Sequence, residues 1–244
     1  MTQWFSIARV LPERLSLNGS SASAEILAAT LRHMGHEVSI VDVHGPEDAP
    51  GTVDIVTVGS GSTSQIAPAA TDLISLVRVF QSWKASGSAW VAVGTGWDLL
   101  GEALITAEGE TMPGAGVFPS TADHRAGRFS GEVHGLDFRG RPSAGYINQI
   151  GTTELLGDAQ ALMTLDDAPE GWPTTEGLVA ENLFATKVGG PALALNPHWT
   201  LDIVSQVLAS RGLTAQLGDF HERVGVAARN ARALIDGRLS PRRR

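Results

Sequence analysis

Val91-Ala92-Val93-Gly94-Thr95-Gly96-Trp97-Asp98-Leu99-Leu100-Gly101 reads as a short apolar strand that runs into a helix through a tight turn. A turn of that kind presents one side chain at its tip and aims backbone amides at the same point, which suits covalent acyl chemistry. The tip here is Gly94, and the chain contains no cysteine at all. Thiol chemistry is therefore excluded by composition, and the stretch is a scaffold without its reactive group.

Outward from this turn, the preceding sequence alternates between strand and helix patterns. Ala89–Val93 is fully apolar, and Leu73, Leu76, Val77, Phe80 and Trp83 recur at helical spacing, predicting one helix from Pro68 to Ala85. Trp4–Val10, Glu37–Val43 and Val53–Val58 are strand-length apolar or β-branched runs, with loop chemistry from Gly45 to Gly51. Ser20 to Ser23 supply N-cap candidates for a helix with Ile26, Leu27, Leu31 and Met34 on one face, closed by Gly35. Such alternation predicts a buried, mostly parallel sheet covered on both faces.

Downstream of Gly109 the pattern changes to short β segments broken by Gly and Pro: 128–138, 144–148, 162–165, 178–181 and 183–188. This half reads as a smaller antiparallel region added to the parallel sheet. Asn196-Pro197 opens a helix carrying Leu201, Val204, Val207 and Leu208, ended by Gly212. A last helix, from Asp219 to Ile235, carries a predicted apolar stripe of Phe220, Val224, Ala227, Ala231 and Leu234. The expected organisation is one α/β domain over residues 1–212, followed by a C-terminal helix and Arg-rich tail over 213–244.

At 244 residues and 43% hydrophobic, the chain can bury a substantial core. Neither a membrane-spanning run nor a signal-peptide pattern is visible, so the default expectation is a cytoplasmic protein. The formal charge of -8 argues against broad nucleic-acid binding. Four arginines between Arg238 and Arg244 read as a solvated end. Only Lys84 and Lys187 are lysines among 18 basic residues, a bias we ascribe to base composition. His33, His36, His44, His124, His134 and His221 show no metal-ligand spacing and are expected as hydrated surface residues, with no metal and no cofactor.

Gly59-Ser60-Gly61-Ser62 follows a strand, where small residues let the backbone approach a ligand. It lacks the Lys of a P-loop and the third glycine of a dinucleotide fingerprint. Its position carries more weight, because ligands of open α/β sheets bind beyond the carboxyl ends of the strands.

These loops occur in a recognisable order: the GSGS loop, VAVGTGWDLLG, Arg128-Phe129-Ser130-Gly131, Gly145-Tyr146-Ile147-Asn148, Thr175-Glu176-Gly177, then Ala185 to Pro191 with Asn196-Pro197. Over about residues 4 to 210 the chain resembles class I glutamine amidotransferases of the cobyric-acid-synthase-like group. Within it, the likeness runs to the glutamine amidotransferase subunits of lipid II isoglutaminyl synthases. The resemblance implies a three-layer, flavodoxin-like sheet and a Mur-ligase-like protein partner.

It also places Gly94 where the family has its nucleophilic cysteine and Gly189 where it has its histidine. Glycine supplies neither nucleophile nor base, so the implied subunit is catalytically degenerate. Thr95 adjoins the tip but is expected to point away from it, and His198 is expected in an exposed first turn of a helix. Arg128 matches a family arginine near the glutamine site, implying a retained glutamine-like or carboxylate contact. Asn148 matches the Asn of a family E-N-H segment whose neighbours are replaced by Ile147 and Gln149. The expected ligand-binding set is Gly59, Gly61, Thr95, Arg128 and Asn148. A partner-docking face is expected around Trp97, Asp98 and Trp199. Two other readings stay open: an amidotransferase-family subunit of a Mur-ligase-like or cobalamin-type complex, active through other residues, and a stand-alone small-molecule binding module.

Overall fold

A computed structural model describes residues 2–168 and 170–239. The first half runs β1 (Trp4–Val10), α1 (Ser23–His33), β2 (Glu37–Val43), β3 (Ile55–Val58), α2 (Ile66–Ser75), α3 (Val77–Ala85), β4 (Ala89–Val93) and α4 (Thr95–Leu100). The predicted helix from Pro68 to Ala85 is thus two helices. Leu76 lies at their junction with φ -88 and ψ -3, and its side chain is fully buried. Packing of Leu73, Leu76, Phe80 and Trp83 into one core holds both helices on the sheet despite the break.

The second half begins with β5 (Ala103–Ile105), β6 (Thr111–Pro113), β7 (Ser120–Asp137), β8 (Pro142–Leu155), β9 (Met163–Leu165) and β10 (Thr175–Glu176). It continues with β11 (Leu178–Ala180), β12 (Leu183–Thr186), α5 (Ala192–Leu195), α6 (Pro197–Ser210) and α7 (Asp219–Leu239). One six-stranded sheet has the order β11-β12-β4-β3-β1-β2, parallel except for β11. The other has the order β10-β9-β7-β5-β6, with β8 paired to β7.

Alternation along the parallel strands builds two cores. Ala8, Val10, Val56, Val58, Trp90 and Ala92 face the core shared with α2, α3 and α4. Phe5, Ile7, Ile55, Ala89 and Val91 face the one shared with α1, α5 and α6. The result is the expected three-layer arrangement.

The antiparallel region is longer than its sequence pattern suggested. β7 and β8 form an extended ribbon with an irregularity between Asp123 and Arg128, and backbone pairing carries them through the Gly-rich stretches. Its far end meets α7, where Arg238 pairs with Glu132 and His134 with Asp236. Arg238 is therefore not part of a free end, while residues 240–244 of the Arg-rich tail lie outside the described residues. The buried side of α7 is also rotated from the predicted stripe: Ala228 and Ile235 are buried, whereas Leu234 is 65% exposed. Period-3.6 reading left two adjacent faces open, and contact with β7, β8 and α5 decides between them.

Candidate functional site

The strand-turn-helix read from residues 91–101 is present, with Gly94 between β4 and α4. Gly94 has φ 55 and ψ -122, backbone that costs any other residue about 1–3 kcal/mol. Its N–H donates to the Thr186 carbonyl at 2.8 Å, and its carbonyl accepts from the N–H groups of Trp97 and Asp98. The turn is thereby fixed at the carboxyl edge of the parallel sheet, beside the glycine loop that follows β3. The two loops touch through Gly59 and Gly96: a Cβ on Gly96 would sit 2.3 Å from the Gly59 carbonyl oxygen. Gly59 is used for this contact and for packing under the Leu15 carbonyl.

A polar cavity of about 150 Å³ opens between these loops and the ribbon. Gly61, Thr95, Arg128 and Asn148 line it, together with Ser60 and Gln149; Gly59 does not. Arg128 is exposed and donates from Nη1 to Asn148 Oδ1 at 3.0 Å. Among the described residues it has no carboxylate partner. Its guanidinium remains able to meet an anion entering the cavity. Thr95 is buried, and its hydroxyl donates to the Gly61 carbonyl at 3.1 Å rather than standing free at the turn.

Space around the tip is filled. A Cβ built on Gly94 would lie 2.5 Å from both Ser60 Oγ and Gln149 Nε2. The Thr95 N–H, the first amide after the tip, donates to Ser60 Oγ at 3.2 Å, and Gln149 Nε2 donates to the same oxygen at 3.3 Å. Ser60 is itself placed by Ser20, whose Oγ accepts from the Ser60 N–H at 2.7 Å. Gly189 differs: a Cβ there would meet only the Tyr146 carbonyl oxygen, at 3.6 Å. A side chain fits at 189 as the structure stands, and at 94 only if the Gln149 and Ser60 side chains shift.

Behind α4 lies a buried ionic cluster. Asp98 pairs with Lys187 through Oδ1, meets His124 Nε2 through Oδ2 at 3.1 Å, and accepts a bond from Thr153 at 3.4 Å. The Lys187 ammonium also sits 5.7 Å from the centre of the Trp97 ring. Nearby, Glu176 is buried and accepts bonds from the Thr186 hydroxyl and the Lys187 N–H. Burial pushes its carboxyl up to about 7 despite those donors. Glu176 and Lys187 line a second cavity, of about 50 Å³, with Trp97, Phe129, Trp172 and Gln149.

Several expectations are corrected by these placements. Trp97, Asp98 and Trp199 are all buried, at 2%, 1% and 0% exposure, so they form no docking face. Trp97 is held inside by its indole N–H donating to Ser120 Oγ at 3.0 Å. His124 is buried rather than hydrated because it partners Asp98. His198 does occupy the first turn of α6, but it bonds Ser143 Oγ at 2.9 Å, and burial lowers its pKa to about 4. Both lysines have specific roles, Lys84 donating to the Val117 carbonyl at 2.9 Å and Lys187 neutralising Asp98.

Ser60, Gln149 and the Asp98 cluster were missed as site residues. Ser60 and Gln149 meet across 89 positions, as do Asp98 and Lys187, so no local pattern links them. The sequence offered one compositional hint for the cluster, that Lys187 is one of just two lysines among 18 basic residues.

The three-layer sheet, the glycine loop and the sharp turn together define a class I glutamine amidotransferase fold. A glutamine amidotransferase crystal structure superposes with a TM-score of 0.52 at 16% identity, covering 81% of this chain and 98% of that one. PurLQS from Thermotoga maritima gives 0.55 at 12% identity, covering 86% and 97%. The family model described as the CobB/CobQ-like glutamine amidotransferase domain matches residues 22–197, and the chain belongs to that family. Among its relatives is the Streptococcus pneumoniae subunit GatD of the glutamine-hydrolysing lipid II isoglutaminyl synthase, 24% identical over 84% of this chain and 81% of that protein. The GatD subunit of Staphylococcus aureus is 20% identical over 95% of each. Among the described residues no helix is long and apolar enough to cross a membrane, and no three His, Asp or Glu side chains group as metal ligands.

Proposed function

We propose that this chain is a catalytically silent glutamine amidotransferase-like subunit that binds a small carboxylate ligand and a partner protein. One observation carries the first part. At the turn where the family resemblance puts the nucleophile there is no side chain, and Ser60 and Gln149 fill the space a side chain would need. The backbone amide available to a developing oxyanion is likewise engaged by Ser60. Gly189 supplies no base, and the chain has no cysteine to act from elsewhere. Ligand binding is supported by the polar cavity with Arg128 at its side. The partner is inferred from relatives described as subunits of a synthase. A Mur-ligase-like enzyme is the partner proposed, with cytoplasmic peptidoglycan-precursor amidation as the setting.

Ammonia release from L-glutamine, followed by coupled reductive amination, is expected to stay at the no-protein background, alone and with the partner present. Turnover that copurifies with the chain and survives Thr95→Val would overturn the reading. Gly94→Cys alone forces the Gln149 and Ser60 side chains to shift away from the new Cβ. A variant that also carries Gln149→Ala and Gly189→His is expected to be labelled by a glutamine-analogue electrophile faster than a surface cysteine control. Equal labelling rates in folded protein would count against the placement of both glycines.

A further inference from the structure

Gln149 stands between two cavities. On one side is the polar cavity lined by Ser60, Thr95, Arg128 and Asn148; on the other is the smaller one lined by Trp97, Phe129, Trp172, Glu176 and Lys187. Its side chain projects from β8, opposite Phe129 of β7, and is buried. The terminal carboxamide has one partner among the described residues, the Ser60 hydroxyl, which lies 3.3 Å from Nε2 and 3.4 Å from Oε1. A primary amide has two donor hydrogens and a carbonyl that accepts twice, so a single long contact leaves most of that capacity unused. The group is held in place mainly by the shape of its surroundings.

Its position is also informative. The same carboxamide nitrogen lies 2.5 Å from where a Cβ on Gly94 would be. A ligand that enters past Arg128 with its carboxylate outward therefore meets the Gln149 amide at the inner end of the cavity. The chain supplies, from the Gln149 side chain, a carboxamide in the space next to the turn.

We infer that Gln149 is a specificity-determining residue that sets the depth of the ligand cavity, admitting short carboxylates and excluding those with an extended amide-bearing chain. This rests on the carboxylate-binding reading given above. Shortening Gln149 joins the polar cavity to the aromatic one and lengthens the ligand the site accepts. Steric selection of this kind is expected to be worth about 10–200-fold per methylene-sized difference.

Calorimetric titration of the full chain with L-alanine, L-asparagine and L-glutamine tests the inference. In the parent protein affinity is expected to fall in that order. Gln149→Ala is expected to gain at least about tenfold for L-glutamine with little change for L-alanine. Gln149→Met, which keeps the volume and removes the amide, is expected to keep the parent order. Gln149→Ser serves if the alanine variant does not fold. The same order of affinities in the parent and the shortened variant overturns the inference while leaving ligand binding intact. Failure of all three amino acids to bind either protein removes the carboxylate reading and the inference with it.

Discussion

The two sides of α4 are held together by different physics. Toward the glycine loop, Ser60, Thr95 and Gln149 meet through neutral hydrogen bonds of 3.2–3.3 Å beside a polar cavity. Behind the helix, Asp98 and Lys187 form a buried ion pair, with His124 bonded to the same carboxylate and Glu176 enclosed close by. Charged pairs of that kind are far more costly to break than long neutral contacts. The comparison indicates where this chain fixes its shape and where it tolerates change. The helix is anchored from behind, so the side facing the cavity can lose or exchange polar groups without losing the turn. On the proposed reading, that is how the fold persists after its chemistry has gone.

The largest effect is expected on the charged side. Lys187→Met leaves Asp98 buried with, among the described residues, only His124 and Thr153 as side-chain partners, and should cost about 3–5 kcal/mol in urea denaturation. A loss below about 1 kcal/mol, the range of exposed pairs, would break the comparison outright.

Next comes the pH dependence of Glu176. Its carboxyl is raised from 4.5 to about 7 in the folded chain, so between those values the native state holds a proton that the unfolded state has released. This contribution to stability is fully present below pH 4.5 and is lost as pH rises to 7, a change of about 3 kcal/mol. His198, lowered from 6.5 to about 4, acts in the opposite sense: the unfolded state holds the extra proton, so its contribution is present above pH 6.5 and is lost as pH falls to 4. The two slopes oppose each other in the parent protein. Glu176→Gln should leave stability rising with pH between 4 and 6.5, and His198→Gln should leave it falling between 4.5 and 7. Denaturation midpoints measured across pH 4 to 8 distinguish these outcomes, and identical profiles for both variants would refute the assignment.

The smallest effect belongs to the cavity side. Ser60→Ala removes the oxygen shared by Thr95 and Gln149 and should cost only about 1 kcal/mol, since both groups border a cavity open to water. A loss above about 3 kcal/mol would show that this side is as firmly fixed as the other.

The parallel sheet, the position of the turn at Gly94 and the absence of thiol chemistry follow from local sequence and composition alone. The apolar-rich run Trp4–Val10, the fully apolar run Ala89–Val93 and the Gly-rich strand-to-helix junction are local signals, each read within a few consecutive residues. Family resemblance suggested the roles proposed for positions 94, 128 and 189; of the five residues expected to bind a ligand, Gly61, Thr95, Arg128 and Asn148 line one cavity and Gly59 does not. The extended β7–β8 ribbon, the break at Leu76 and the rotation of α7 depended on contacts that propensity does not encode. The same holds for the burial of Trp97, Asp98 and Trp199: their amphipathic chemistry fits an interface or an interior equally well, and distant partners such as Ser120 and Lys187 decide. Gln149 is the clearest case. Nothing in its local sequence shows that folding brings its carboxamide across 89 residues to Ser60 and into the space beside Gly94, because that placement arises only when β8 is docked against the parallel sheet.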